Sequence, residues 1–139
     1  MGDLLYGLVR QIKPDLVFED GAGMGHATYM LGKACLDNGK GKVVSCENNE
    51  SYYQIAAGRV EGLPVDMQLQ STPCCPAVED ADFIFADGDN ENRMKCFDRA
   101  KPGCVFVIHD TNEKALADFV RAKGGLVFNF GRGFGLIIK

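Results

Sequence analysis

Hydrophobic positions along the chain switch repeatedly between helical and strand-like spacing. Leu4, Leu5, Leu8, Val9 and Ile12 recur at helical intervals between Asp3 and Lys13, and Pro14 ends the pattern because its ring and missing N–H cannot continue a helix. This first helix is expected to cover one end of a sheet. Leu16, Val17 and Phe18 then form an uninterrupted apolar run, as a strand buried on both faces does, and Gly21, Gly23 and Gly25 follow at once. Ala27 to Leu36 supplies a helix that closes at Asn38 and Gly39. Lys42 to Cys46 reads as a second strand ending at Glu47, Ser51 to Val60 as a helix, and Val65 to Leu69 as an alternating strand near a sheet edge.

Ser71 to Asp80 holds two prolines and the pair Cys74 and Cys75, so it is too short and broken for a full crossover helix; a helical turn or a loop is expected. Ala81 to Ala86 is a fourth buried strand, Asn90 to Ala100 a helix, and Lys101, Pro102 and Gly103 a turn into a fifth strand, Cys104 to Ile108. A last helix runs from about Asn112 to Lys123. Gly124 and Gly125 end it, and two strands, Leu126 to Phe130 and Phe134 to Ile138, close the chain as a hairpin through Gly131, Arg132 and Gly133. Five β/α units followed by an antiparallel hairpin define an α/β doubly wound pattern, and its element order is all that spacing alone provides.

Composition adds bounds. The 139 residues suit one domain with its own core, residues 1–139. No apolar run reaches membrane-spanning length, and the N-terminus lacks the basic and apolar regions of an export signal, so a cytoplasmic protein without membrane association is expected. Six cysteines include no CxxC pair; reduced, mostly buried thiols are expected, with Cys74 and Cys75 structural. The net charge of −4 and the scattered basic residues argue against a broad nucleic-acid surface.

The stretch VFEDGAGMGH, Val17 to His26, carries most of the candidate chemistry. Alternate glycines let a chain leave a strand, turn and enter a helix while its backbone passes close to a ligand. Glu47 lies about twenty residues beyond the last glycine, where a Rossmann-like site places a carboxylate against ribose hydroxyls. The competing reading is that Glu47 and Glu50 cap the following helix, and Glu50 suits that role better. Asp87, Gly88 and Asp89 end the fourth strand, and His109 and Asp110 end the fifth, which is the edge at which open α/β sheets bind ligands. His26 reads as a solvent-facing residue at a helix start, Tyr52 and Tyr53 as packing or surface residues with adenine stacking as the alternative, and Arg132 as a turn residue.

Together FEDGAGMG, Glu47, FIFADGD and KPGCVFVIHD resemble the motifs of class I S-adenosylmethionine-dependent methyltransferases along nearly the whole chain. DGD, KPG and HD are most similar to the small-molecule O-methyltransferase group related to catechol and sugar methyltransferases. The resemblance implies a Rossmann-like, mostly parallel seven-stranded sheet in the order 3-2-1-4-5-7-6 with an antiparallel last strand. It also implies an enzyme that moves a methyl group from S-adenosylmethionine to a small hydroxylated acceptor. Glu19, Gly21, Gly23 and Gly25 would surround the methionine part of the cofactor, Glu47 the ribose, and Gln70 and Ser71 the adenine, with Asp87 facing the sulfonium or the acceptor.

Two catalytic routes follow from the resemblance. In one, Asp87, His109 and Asp110, with Asp89 nearby, hold a divalent metal that lowers the acceptor's pKa; the related pattern has Asp-Asn where His109 and Asp110 stand, and histidine favours manganese, iron or zinc over magnesium. In the other, His109 is a general base oriented by a carboxylate; the plainer alternative is that His109 hydrogen-bonds locally and Asp110 caps the next helix. Asp20 departs from the family pattern, which is apolar there, and a buried acid needs a partner. An NAD-type oxidoreductase is the alternative function, weakened by the two-residue spacing of the third glycine and by the closing hairpin. A cofactor-binding module without independent catalysis is another, because one helix alone precedes the first strand; an oligomer or a partner protein would then complete the acceptor site.

Overall fold

The computed structural model describes residues 1–72 and 75–139; the reading of Cys74 lies outside them. The chain runs α1 (Gly2–Ile12), β1 (Leu16–Asp20), α2 (His26–Asn38), β2 (Lys42–Glu47), α3 (Glu50–Arg59), β3 (Val65–Leu69) and α4 (Ala77–Asp80). It continues through β4 (Phe83–Ala86), α5 (Asn90–Arg99), β5 (Val105–His109), α6 (Lys114–Ala122), β6 (Leu126–Phe128) and β7 (Phe134–Ile138). The strands form one sheet in the order β3-β2-β1-β4-β5-β7-β6, parallel except where β7 inserts antiparallel between β5 and β6.

Register brings the chemistry to one edge. Asp20 lies beside Cys46 of β2 and Ala86 of β4, and Ala86 lies beside Ile108 of β5. The residues that follow, Gly21, Glu47, Asp87 and His109, therefore leave the sheet side by side at its carboxyl end. The two-residue strand period sorts β1 between two faces. Val17 joins Leu5, Val9, Leu31 and Val43 beneath α1 and α2. Phe18 joins Phe97, Phe106 and Val120 beneath α5 and α6.

α1 covers a face of the sheet and not an end, which corrects its expected placement. Leu5 and Val9 are fully buried, and α1 lies along α2. Three polar contacts fix the pair: Tyr6 Oη donates to Asp37 at 2.8 Å, Arg10 Nη1 to Asn38 Oδ1 at 2.9 Å, and Asn38 Nδ2 to the Val9 carbonyl at 3.0 Å. In the segment before β4, Ala77–Asp80 forms a single helical turn, α4. β4 starts two residues later than the apolar run because Asp82 turns aside as a clip, accepting from the backbone N–H groups of Asp15 and Leu16 at 2.9 and 3.0 Å and pairing with Lys101 at 2.6 Å.

Among the described residues no cysteine pairs with another, and burial pushes the thiols of Cys35 up to about 11 and Cys104 up to about 12, far from the reactive thiolate. Among the described residues no helix is long and apolar enough to cross a membrane.

Candidate active site

The glycine turn is held from both sides. A Cβ at Gly21 would stand 2.8 Å from the Gly88 nitrogen, and one at Gly25 would stand 2.8 Å from Ala56 Cα, so the turn packs against the β4 end and against α3. Gly23 differs, because nothing lies within 4 Å of the position its Cβ would take. Its backbone faces the open cleft. Glu47 then joins the turn to β2: Oε2 accepts from the Gly23 N–H at 2.7 Å and Oε1 from the Asn49 N–H at 2.8 Å. The cap of α3 is Asn49, whose Oδ1 accepts from Tyr52 N–H at 3.1 Å; Glu50 is the first helical residue, so the competing reading of it as the cap does not hold.

Beneath the turn, two acids of β1 point to opposite faces. Glu19 is fully buried; its Oε2 accepts from Thr28 Oγ1 at 2.6 Å and Ser45 Oγ at 2.5 Å, while Oε1 has no partner among the described residues. Burial raises its carboxyl to about 7 against the pull of the two hydroxyls. Glu19 underlies the turn and does not line the cleft. Asp20 does line it, and burial raises its carboxyl to about 6. Thr72 Oγ1 donates to Asp20 Oδ1 and is the partner this buried acid requires. Gly88 lies against the same carboxylate, where any Cβ would collide with Oδ1.

The ends of β4 and β5 meet in a polar cluster. Asp87 Oδ1 lies 2.9 Å from His109 Nδ1. Asp89 caps α5, accepting from Asn92 N–H at 2.8 Å. Arg93, buried on the inner face of α5, donates from Nε to the Gly88 carbonyl at 2.7 Å and from Nη1 to the His109 carbonyl at 2.8 Å. Its Nη2 reaches Asp87 Oδ1 at 3.3 Å and Asp110 Oδ2 at 3.0 Å. Asp110 stands in left-handed backbone with φ 62°, and its Oδ1 lies 2.7 Å from Arg132 Nε. The cap of α6 is Glu113, so Asp110 is not the cap that the sequence suggested; two guanidinium groups claim its side chain instead. Arg132 is more than a turn residue for the same reason.

Most of these groups border one cleft of about 1260 Å³, while Glu19, Gly25, Arg93 and Asp110 lie off its wall. Gly21, Gly23 and Glu47 line one part, Gln70 and Ser71 another, and Asp87, His109 and Arg132 the remainder. His26 and Tyr52 are also on its wall, and both are exposed. Sequence reasoning missed Arg93. Its signal was position: Arg93, Cys96, Phe97 and Ala100 follow the i, i+3, i+4, i+7 stripe of the buried face, so a charge sits where an apolar residue is expected.

Asp87, His109 and Asp110 offer ligand atoms within 4.8 Å of one another, the spacing a divalent cation could use. Their surroundings do not suit one. Two carboxylates already face two guanidinium groups, which stay charged at any ordinary pH, and Arg93 Nη2 touches an oxygen of each carboxylate. A dication on these atoms would sit against the buried Arg93 guanidinium.

No family model matches the sequence, and no curated protein matches it; solved structures do. A methyltransferase from Geobacter sulfurreducens superposes with TM-score 0.80 at 19% identity, over 97% of this chain and 76% of that one. The O-methyltransferase TomG from Streptomyces achromogenes, in complex with SAM, gives 0.76 at 20% identity, covering 99% and 79%. An O-methyltransferase from Bacillus cereus, in complex with SAH, gives 0.71 at 18% identity, covering 99% and 80%. The chain has the fold of class I S-adenosylmethionine-dependent methyltransferases, with the seven-strand order and antiparallel β7 that the resemblance implies. Among the structures it resembles within that class are O-methyltransferases.

Proposed function

We propose that this chain is an S-adenosylmethionine-dependent methyltransferase acting on a hydroxyl oxygen of a small acceptor. One observation carries the reading: a single cleft joins the glycine turn and Glu47 to a histidine–aspartate pair at the ends of β4 and β5. Gly21, Gly23 and Gly25 would surround the methionine end of the cofactor above Glu19, Glu47 would meet the ribose, and Gln70 and Ser71 the adenine, with Asp87 at the junction with the acceptor. The wedge-free backbone at Gly23 suits a ligand approaching closely.

When bound, the cofactor would supply an electrophilic methyl carbon on a sulfonium sulfur that can leave with the electron pair of that bond. The chain's part is alignment and removal of the acceptor's proton. Asp87 Oδ1, at 2.9 Å, accepts the Nδ1–H of a neutral His109, so the lone pair is left on Nε2. Nε2 then takes the hydroxyl proton, and Asp87 stabilises the imidazolium formed. No step requires a metal, in keeping with the two guanidinium groups already at Asp110. Arg132, exposed on the hairpin and lining the cleft, borders the acceptor side.

Calorimetric titration with S-adenosylmethionine, S-adenosylhomocysteine and NAD tests the cofactor class. Binding of both sulfur compounds and not NAD is expected; binding of NAD alone would replace this reading with an oxidoreductase. A panel of small hydroxylated compounds with labelled methyl donor then tests catalysis, and binding without transfer to any of them would favour a cofactor-binding module.

A further inference from the structure

We propose that the buried Arg93 guanidinium is the cationic centre of the Asp87, His109 and Asp110 cluster, and that it positions the His109–Asp87 pair in the place a divalent cation would take. The inference rests on the reading of that pair as the proton-removing group. Arg93 leaves α5 between the ends of two strands and bonds to both of them. Nε and Nη1 hold backbone carbonyls at Gly88 and His109, which fixes the spacing of the β4 and β5 ends. Nη2 holds one oxygen from each carboxylate.

The shared atom is Asp87 Oδ1. It faces Arg93 Nη2 at 3.3 Å and His109 Nδ1 at 2.9 Å, so the rotamer that meets the guanidinium is the rotamer that meets the imidazole. The side chain of Arg93 is only 5% exposed, and buried charge persists where paired groups surround it. A planar guanidinium reaches four acceptors in fixed directions; an ammonium at the same place is a single point with a shorter span. Arg93 therefore does not contact the reacting atoms. It acts through Asp87 and the two strand ends.

Heteronuclear NMR of the histidine rings at mildly alkaline pH tests this without knowledge of the acceptor. The chain has two histidines, His26 and His109, which His26→Gln separates. In the unaltered chain His109 is expected as one tautomer with its proton on Nδ1, and Mn2+ added alone is expected to leave its signals sharp. In Arg93→Gln the His109 nitrogens are expected to average between tautomers, with partial return in Arg93→Lys. Selective broadening of His109 by Mn2+ in the unaltered chain, reversed by excess Mg2+ or a chelator, would overturn the proposal, as would a tautomer unmoved by Arg93→Gln. The Mn2+ arm uses the unaltered chain, so it decides even where Arg93→Gln does not fold. Titration of the same sample with S-adenosylhomocysteine keeps the two readings apart: failure to bind counts against methyl transfer, while the tautomer and Mn2+ results still decide the part of Arg93.

Discussion

The Glu47 carboxylate at the end of β2 accepts a 2.7 Å hydrogen bond from the backbone N–H of Gly23, in the turn after β1. The residue proposed for the ribose thus also shapes the turn proposed for the methionine end. Its second oxygen is held by Asn49 N–H, so the carboxylate is fixed in orientation before any ligand arrives.

Glu47→Ala is therefore expected to weaken S-adenosylhomocysteine binding by about 10- to 100-fold, the loss that follows from removing one or two charge-assisted hydrogen bonds. Glu47→Gln cannot accept from both N–H groups and is expected to fall between. Isothermal titration measures this, and an undiminished affinity in Glu47→Ala would remove the ribose assignment.

Two glycines of one turn, Gly25 and Gly23, are expected to respond differently. Gly25→Ala pushes a methyl group against the α3 backbone, and at φ 79° it also strains the chain, so a loss of about 2–4 kcal/mol of stability is expected in chemical denaturation. Gly23→Ala meets open space, and only its φ of 52° is unfavourable, a cost of about 1–2 kcal/mol. Its larger effect should be on ligand affinity. Equal losses of affinity and stability in both variants would show that Gly23 has no closer approach to a ligand than Gly25.

His109→Gln is expected to lower methyl transfer by about 10²–10⁴-fold while leaving S-adenosylhomocysteine affinity unchanged, because the base acts on the acceptor and not on the cofactor. Asp87→Asn, which cannot stabilise an imidazolium, should lower kcat as well. Single-turnover assays with an acceptor from the panel separate these effects from binding. Full activity in His109→Gln would leave proximity alone as the source of catalysis.

Stability should depend on pH through Glu19. The folded chain holds this proton up to about 7, whereas an unfolded glutamate releases it near its ordinary value of 4.5. The folded state thus binds more protons across that window, and stability falls as pH rises from the ordinary value through about 7, then levels. The decline is on the order of 3 kcal/mol from the size of the shift. Glu19→Gln cannot titrate, and denaturation midpoints measured from mildly acidic to neutral pH should lose most of this slope. Asp20, raised to about 6, accounts for part of the slope that remains.

The motifs of β1, β2, β4 and β5 were legible because they join local patterns: apolar runs, glycines needing positive φ, and polar residues at strand ends. Less legible was what each polar residue does once there. Asp110 occupies a helix-cap position in sequence, yet Arg93 and Arg132 hold its side chain, and these lie 17 and 22 positions away. Asp20 found its partner in Thr72, 52 positions away along the chain. The cap of α3 is Asn49 and not the alternative Glu50, a one-residue difference in where the helix begins.

By itself the sequence determined the alternation of elements and the turn from Gly21 to Gly25, because periodicity and glycine conformation act over a few residues. Tertiary structure alone decided that α1 covers a face, that Glu47 braces the turn at Gly23, and that Arg93 stands among Asp87, His109 and Asp110. The reason is physical. Side-chain pairing depends on which strand ends the sheet order brings together, and a buried charge is satisfied by neighbours in space that spacing along the chain does not specify.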